Sequence, residues 1–384
     1  MADAIDPNRA RNPVSGAAFL FFSGGSALRS LSRQLVKVSH RSMHVITPFD
    51  NGGSSAELRR HFRMLSVGDL RNRLLALADF DRPGVRDAHS LLNTRLEQNA
   101  TRGELLETLH EIAGGSHPRT LQLAKERKRP MLKGLSTLIA ALPPGFDPRG
   151  ASIGNLVLTG MYLDHALDMT PALADFAELL NVRGSVHPAS ESDLDLAAEL
   201  ADGSQITGQR AITARETTPL SSPLSRLWFC DPLSGAEAPL PRASARALAM
   251  IASADMIIYP YGSFWTSLVA ALKPAGILDA IRQSRRPKVW IPSTWPDPEI
   301  SGMRLEETLD RLLGVLGVMP GSDAAGEVLD AVIVDPRNGR YTGGLSSRAL
   351  RARKVRVLEH ELVSPESSPG IDPARLIPIL QQLS

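Results

Sequence analysis

The chain has one cysteine, Cys230, in 384 residues. One thiol closes no internal disulfide and builds no cysteine-rich zinc site, so the sequence reads as that of a cytoplasmic protein. Cys230 itself ends the apolar run Leu227-Trp228-Phe229-Cys230 and reads as a core residue. No apolar run approaches the roughly 18 residues needed to cross a bilayer, which excludes a helical membrane span. Charge of one sign is not in excess: 43 Lys and Arg stand against 41 Asp and Glu. A generally basic surface, and with it broad nucleic-acid binding, is therefore not expected. The basic runs also lack the interleaved aromatics of a single-strand binder. The nine histidines show no metal-ligand spacing such as HExxH. Gly150-Ala151-Ser152-Ile153-Gly154 spells Gly-x-Ser-x-Gly, but no apolar strand precedes it, which argues against a nucleophile elbow. Residues Met1 to Ser15 mix charges with two prolines, lack a signal peptide's apolar core, and are expected to form a flexible tail.

What is present is an ordinary globular composition, 43% hydrophobic and 22% charged. The apolar run Ala17 to Phe22, the pair Gly24-Gly25 and the helical spacing Leu28, Leu31, Leu35, Val38 predict strand, glycine loop and helix. His44 to Thr47 predicts a second strand, and Ser54 or Ser55 caps the helix after it. From about residue 80 to 149 apolar residues recur at helical spacing with no clear strand, so a mainly helical insertion is expected there. Its basic run, Lys125-Glu126-Arg127-Lys128-Arg129, reads either as a solvated helix end or as a contact to an anionic ligand or partner. Asp202-Gly203 marks a hairpin. Leu227 to Phe229, Met256 to Tyr259, Lys288 to Ile291, Ala331 to Val334 and Val355 to Leu362 predict further strands. Helices are expected at Leu156 to His165, Ala245 to Ala252, Leu268 to Ile281 and Leu305 to Leu316. This alternation predicts an α/β fold, a Rossmann-like, mostly parallel sheet with helices on both faces. Residues 16–384 then form one α/β domain interrupted by the helical insertion.

Four turns are placed to carry chemistry, since loops at the carboxyl ends of parallel strands bind ligands. Ser23-Gly24-Gly25-Ser26 lets backbone approach a phosphate at a helix N-terminus, although a tight turn without ligand has the same spelling. Asp50-Asn51-Gly52-Gly53-Ser54-Ser55 offers a carboxylate for a metal or ribose and amides for phosphate, or else only a turn and a cap. In Gly68-Asp69-Leu70-Arg71-Asn72, Asp69 is either an N-cap or a second carboxylate, with Arg71 and Asn72 facing the same cleft. Gly262-Ser263-Phe264-Trp265-Thr266-Ser267 supplies amides and hydroxyls, its aromatics reading as packing residues.

Taken in order, these turns resemble the CofD family, the phospholactate transferases of deazaflavin coenzyme biosynthesis, and more closely its YvcK-type branch of gluconeogenesis factors. The resemblance runs from about Phe19 to Val334. It rests on Gly24-Gly25, on Asp50 to Ser55 with Arg59, and on Gly68 to Asn72. It continues in Gly150 to Asn155, Leu180 to Ala189 and Gly262 to Ser267. The chain departs from the family where the second acid of a pair is Asn51, where Pro260-Tyr261 replaces Gly-Pro, and at Pro292-Ser293-Thr294-Trp295. The resemblance implies a nucleotide diphosphate-linked ligand, GDP- or UDP-type, with Mg²⁺ in the transferase branch. It implies Asp50, Asp69 and Arg71 as catalytic candidates, with Asp50 on the metal. Gly24, Gly25, Ser26, Asn51, Gly52, Gly53, Ser54, Asn72, Asn155, Asn181, Arg183, Gly262 and Ser263 are the ligand-site candidates. It further implies either a phospholactyl-type transferase, a non-enzymatic UDP-sugar-binding regulator, or an interaction protein that has lost the ligand. A homodimer and a partner surface on the helical insertion complete these expectations. Asn51 adds no negative charge, so weaker metal affinity is expected unless Asp69 replaces it.

Overall fold

The computed structural model describes residues 13–213 and 220–384. The expected N-terminal tail falls on residues 1–15, of which 1–12 lie outside the described residues; Pro13–Ser15 form one 3₁₀ turn.

Ten strands are present among the described residues: β1 (Phe19–Ser23), β2 (Met43–Ile46), β3 (Ser185–Pro188), β4 (Asp195–Leu200), β5 (Gln205–Thr207), β6 (Leu224–Cys230), β7 (Met256–Tyr259), β8 (Lys288–Trp290), β9 (Ala331–Val334) and β10 (Arg356–Glu359). Seven form one sheet in the order β10-β9-β8-β7-β1-β2-β3, with every neighbouring pair parallel. The chain builds outward from β1 to β2 and β3, then returns to β1's other side with β7. The strand order therefore reverses between β1 and β7, which is the place where open α/β sheets bind ligands. The remaining three strands make a small antiparallel sheet, β5-β4-β6.

The parallel strands are buried on both faces, which is why β1 and β7 read as unbroken apolar runs. On one face Leu20, Phe22, Ile257 and Tyr259 pack against Leu196, Leu227 and Phe229 of the small sheet. On the other, Phe19, Phe21 and Ile258 meet Leu28 and Leu31, and Leu376 and Leu380 of the C-terminal helix Pro373–Leu383.

Helix α1 (Arg29–Leu35) joins β1 to β2, and the elements described between β2 and β3 are all helices: α2 (Gly53–Phe62), α3 (Gly68–Ala76), α4 (Val85–Asn93), α5 (Arg102–Gly114), α6 (Pro118–Leu121), α7 (Lys125–Ala141), α8 (Ile153–Asp164) and α9 (Met169–Leu180). They enclose a core of their own. Its centre is α8, buried on every side from Ile153 to Tyr162, as an apolar helix without a polar face must be. Local signals set the ends. A capping box of Thr101 and Glu104 starts α5, and Asn181 ends α9 in the left-handed region at φ 50°. The basic run at the start of α7 is a partly solvated helix end: Lys125, Glu126 and Arg129 are exposed, while Arg127 and Lys128 bond within the protein. Arg127 donates to the carbonyls of Leu179 and Glu178 at the end of α9, and Lys128 to that of Gly115.

The expected helix Leu268 to Ile281 is not continuous. A π-helical turn spans Phe264–Val269, a short α-turn Ala270–Leu272 follows, and a separate helix Ile277–Gln283 begins after Gly276. Pro274 cannot continue a helix, and Gly276 takes φ 98°. After β5 lies α10 (Gln209–Ile212), and before β7 lies α11 (Ala245–Ser253).

Candidate functional site

A polar cleft of about 460 Å³ opens where β2 ends, within the roughly 300–1,000 Å³ of small-molecule sites. Asp50, Gly52, Gly53, Ser54, Gly68, Arg71, Asn72 and Asn155 all line it. These residues are distant in sequence and are brought together by three helix starts. Gly52 to Ser54 open α2, Gly68 opens α3, and Asn155 lies in the first turn of α8. Helix N-termini carry unpaired N–H groups and the positive end of the dipole, so their convergence favours an anion.

Side chains fix this convergence. Asn155 donates to Ser54 Oγ at 3.0 Å and accepts from Arg71 Nε at 2.9 Å. Gly154 makes room for that arginine: a Cβ there would sit 3.0 Å from Arg71 Cδ. Gly68 lets α3 approach Asp50, since a Cβ would lie 3.3 Å from Asp50 Oδ2. Asp50 accepts from the Gly52 N–H at 3.0 Å and from Ser55. Burial pushes its pKa up, against those hydrogen bonds and Arg59.

Asp69 lies behind the cleft wall, between α3 and the β1 loop, where it accepts from the Gly25 N–H. A Cβ on Gly24 would meet Asp69 Oδ2 at 3.1 Å, and one on Gly25 would sit 2.8 Å from Asp69 Cγ. The two glycines thus leave space for a carboxylate of the protein's own. The fully buried Arg73 holds the same loop, donating to Gly24 O at 2.9 Å, to Ser23 and to Ser32. Ser26 is exposed beside it.

Burial, and then the Asp50 charge, raise Asp69 to about 7. Its ordinary value is about 4. A carboxyl with a raised native pKa holds its proton better when folded. Stability is therefore greatest below about pH 4 and falls as pH rises through the window to about 7. Asp69→Asn keeps an oxygen for the Gly25 N–H and removes the charge. In metal-free buffer its melting temperature is expected to exceed the wild type's at pH 8 and to converge with it near pH 4. A pH-independent offset in thermal unfolding would contradict this assignment.

Four cleft residues, Arg95, Gln209, Arg210 and Thr213, carried no signal in the sequence. Arg95 comes from the turn after α4, where it donates to Gly150 O. Gln209 and Arg210 come from α10 beyond the small sheet. With Arg71, Arg95 and Arg210 make three guanidinium groups around one cleft. No spacing rule links them.

Besides Gly24, Gly25, Ser26 and Asp69, five more of the expected residues, Asn51, Asn181, Arg183, Gly262 and Ser263, do not line this cleft. Asn51 turns away, donating to Asp195 Oδ2 at 3.4 Å and accepting from the Arg210 N–H at 3.0 Å. It thereby tethers α10, and an aspartate in its place would face the Asp195 carboxylate. Asn181 and Arg183 lie where β3 begins, at the opposite end of the strands. Arg183 pairs with Asp79 at 2.8 Å, and Asn181 ends α9. Ser263 starts the π-helical turn, whose amides are already engaged. Phe264 N donates to Asp297 at 2.7 Å, and Trp265 N and Thr266 N donate to Glu299 at 2.8 and 2.9 Å. Burial and Asp297 raise Glu299 to about 8. Gly262, at φ 133°, packs a Cβ's width from Ala27 at the β1/β7 reversal. It lines a second, apolar cavity with Tyr261, Phe264, Trp290 and Trp295.

Among the described residues no cluster of three or more His, Cys, Asp or Glu side chains is placed to hold a metal. The donor set nevertheless fits Mg²⁺, which is held through one or two carboxylates and completed by ligand phosphates and water. The Asp50 charge adds to burial in raising Asp69, and a divalent cation held by Asp50 would relieve that repulsion.

This fold and site define a class. The model of the family "2-phospho-L-lactate transferase CofD" matches residues 20–362, and the chain belongs to that family. Within it, the chain is 31% identical over 329 residues to a putative gluconeogenesis factor of Nostoc sp.. The match covers 85% of this chain and 57% of that one. It is 28% identical to the gluconeogenesis factor of Halalkalibacterium halodurans, covering 77% and 73%, and 27% identical to that of Bacillus subtilis, covering 72% and 68%. The chain thus spans between about half and three quarters of the length of these relatives. A crystal structure of a UPF0052-family protein from Bacillus halodurans shares the fold at TM-score 0.68 and 22% identity, covering 95% of this chain and 98% of that one. No helix among the described residues is long and apolar enough to cross a membrane.

Proposed function

We propose that the chain binds a nucleoside diphosphate-linked small molecule, with the diphosphate in the Arg71–Arg95–Arg210 cleft. The observation that carries this reading is the convergence of three helix N-termini and three arginines on one open cleft with Asp50 at its floor. A chain that had lost its ligand would fill that space with side chains, whereas among the described residues the cleft is open.

The catalytic form of this reading is transfer of a phosphoryl-linked group, as the family name suggests. Phosphoryl transfer depends on positioning and on neutralising charge. Arg71 supports the charge on the transferred group, and the amides of Gly52 to Ser54 orient it. Asp50, with Asp69 behind it, would hold Mg²⁺, which supplies further neutralisation. Asp50 also stands where it can accept a proton from an attacking hydroxyl, whose oxygen forms the new P–O bond as the bond to the leaving nucleoside monophosphate breaks. The non-enzymatic form, a nucleotide-sugar sensor, is supported by the relatives' name, gluconeogenesis factor, which names no transferase.

Thermal unfolding against GDP- and UDP-linked ligands, with and without Mg²⁺, tests binding. A true ligand at a hundred times its Kd stabilises the fold by about 2.7 kcal/mol; no shift with any of them would overturn the reading. Asp50→Asn separates the two forms. In a transferase the variant binds and does not turn over, while in a sensor the wild type itself gives no product with any Mg²⁺ concentration.

A further inference from the structure

A second basic pocket lies on the far side of Asn72. It is lined by Arg29 and Arg33 from α1, His89 and Asn93 from α4, and Asn72 from α3. Both outer pairs are spaced i, i+4, so each presents one helix face to the other across the pocket. No carboxylate pairs with Arg29 or Arg33 among the described residues. The field there is uncompensated: burial, then Arg33, Arg29 and Arg71, hold His89 down at about 4. A cation cluster without counter-charge is destabilised by self-repulsion, so its retention needs a source of negative charge.

We propose that Arg29, Arg33, His89, Asn93 and Asn72 form a second oxyanion subsite, adjoining the cleft through Asn72, that takes one phosphate or carboxylate group. The cavity is small, about 20 Å³, roughly the space of one or two waters. It therefore admits a single anionic group at its mouth, where Arg29, Arg33 and Asn93 are exposed, and excludes a nucleoside. Guanidinium groups recognise such oxyanions through paired N–H donors, and Asn72 and Asn93 add amide donors. Asn72 lines both pockets, so one molecule with two anionic ends can occupy both. That bridging form rests on the proposed function; the subsite itself does not.

The test uses the full chain with inorganic phosphate as the probe and two readouts, calorimetry and the NMR titration of the His89 ring. In the wild type phosphate is expected to raise the His89 titration from about 4, because an anion stabilises the imidazolium. In Arg29→Ala/Arg33→Ala, with folding checked by circular dichroism, phosphate affinity at this site falls about tenfold or more and the phosphate-induced His89 shift disappears. A wild-type protein saturated with GDP that still shows the shift identifies a free oxyanion as the occupant. Loss of the shift on adding a GDP- or UDP-linked ligand with an anionic tail, but not with GDP, identifies the tail as the occupant. An unmoved His89 titration in the wild type, or equal phosphate affinity in the double variant, overturns the subsite. Failure of nucleotides to bind the cleft would instead sink the proposed function and leave the phosphate response of His89 intact.

Discussion

Arg71→Ala is expected to weaken binding of a GDP- or UDP-linked ligand by about 10- to 100-fold while the protein remains folded. Arg71 lines the cleft and is almost fully buried, 3% exposed. Its Nε is already spent on Asn155 at 2.9 Å, which leaves the outer guanidinium nitrogens for a ligand phosphate. Burial and the neighbouring Arg95 lower its pKa to about 10, so it stays charged at neutral pH and carries that charge at a cost an anion would offset. A hydrogen bond to a charged partner contributes about 1.5–3 kcal/mol, which sets the size of the loss. In a thermal shift at a hundred times the wild-type Kd, stabilisation should drop from about 2.7 to about 0.4 kcal/mol for a hundredfold loss. Arg71→Lys should lie between, since lysine restores charge without the planar fork. Arg183→Ala provides the contrast. It breaks the ion pair with Asp79 at the opposite end of the strands and should lower stability without changing ligand affinity. If Arg71→Ala and Arg183→Ala behave alike, the cleft does not bind the anion.

These two arginines also mark how far the sequence could be read. Gly-Asp-Leu-Arg-Asn around Arg71 was legible because one helix start carries the whole motif, and local spacing then predicts shared location. Arg183 sits in a segment equally rich in polar residues, yet its role is an ion pair reached only through the path of the chain. Arg95 and Arg210 were illegible for the same reason, since the first depends on the helical layer and the second on the small sheet and the Asn51 tether. The strands with continuous apolar runs were evident. β3 was not, because Ser185-Val186-His187-Pro188 is polar and ends in proline. It is the last strand of the sheet, where an edge tolerates proline. The broken helix after Phe264 was hidden by apolar residues that suit either geometry. Only the buried carboxylates Asp297 and Glu299, which take up its first amides, distinguish them. Glycine spelling was the least decisive signal. Gly24-Gly25 is spelled like a phosphate loop, and the space beside it holds Asp69.

Gly160→Ala is expected to have the largest effect on stability and to reach the cleft through the helical layer. A Cβ on Gly160 would stand 2.5 Å from the Gly134 carbonyl carbon and closer still to its oxygen. From the other side, a Cβ on Gly134 would meet Met161 Cγ at 3.0 Å and Val157 O at 3.1 Å. Helices α7 and α8 therefore cross backbone to backbone. The obstacle is a carbonyl, not the end of a flexible side chain, so the methyl fits only if the helices separate. Overpacking costs about 1–3 kcal/mol, and more where nothing can yield. A loss of about 3 kcal/mol or more corresponds to a melting temperature lower by roughly 4 °C or more in a chain of this size. The displacement also falls on the helix whose first turn carries Asn155, the residue that joins Ser54 to Arg71. Residual folded protein should accordingly bind ligand more weakly. Gly114→Ala in α5 is the matched control. It lies in the same helical layer, its new methyl meets nothing within 4 Å, and a helical glycine replaced without strain gains about 0.4–1 kcal/mol. Opposite signs for two Gly→Ala changes in one layer would separate crossing geometry from helix propensity. Equal effects would mean that the α7–α8 contact does not set the position of Asn155.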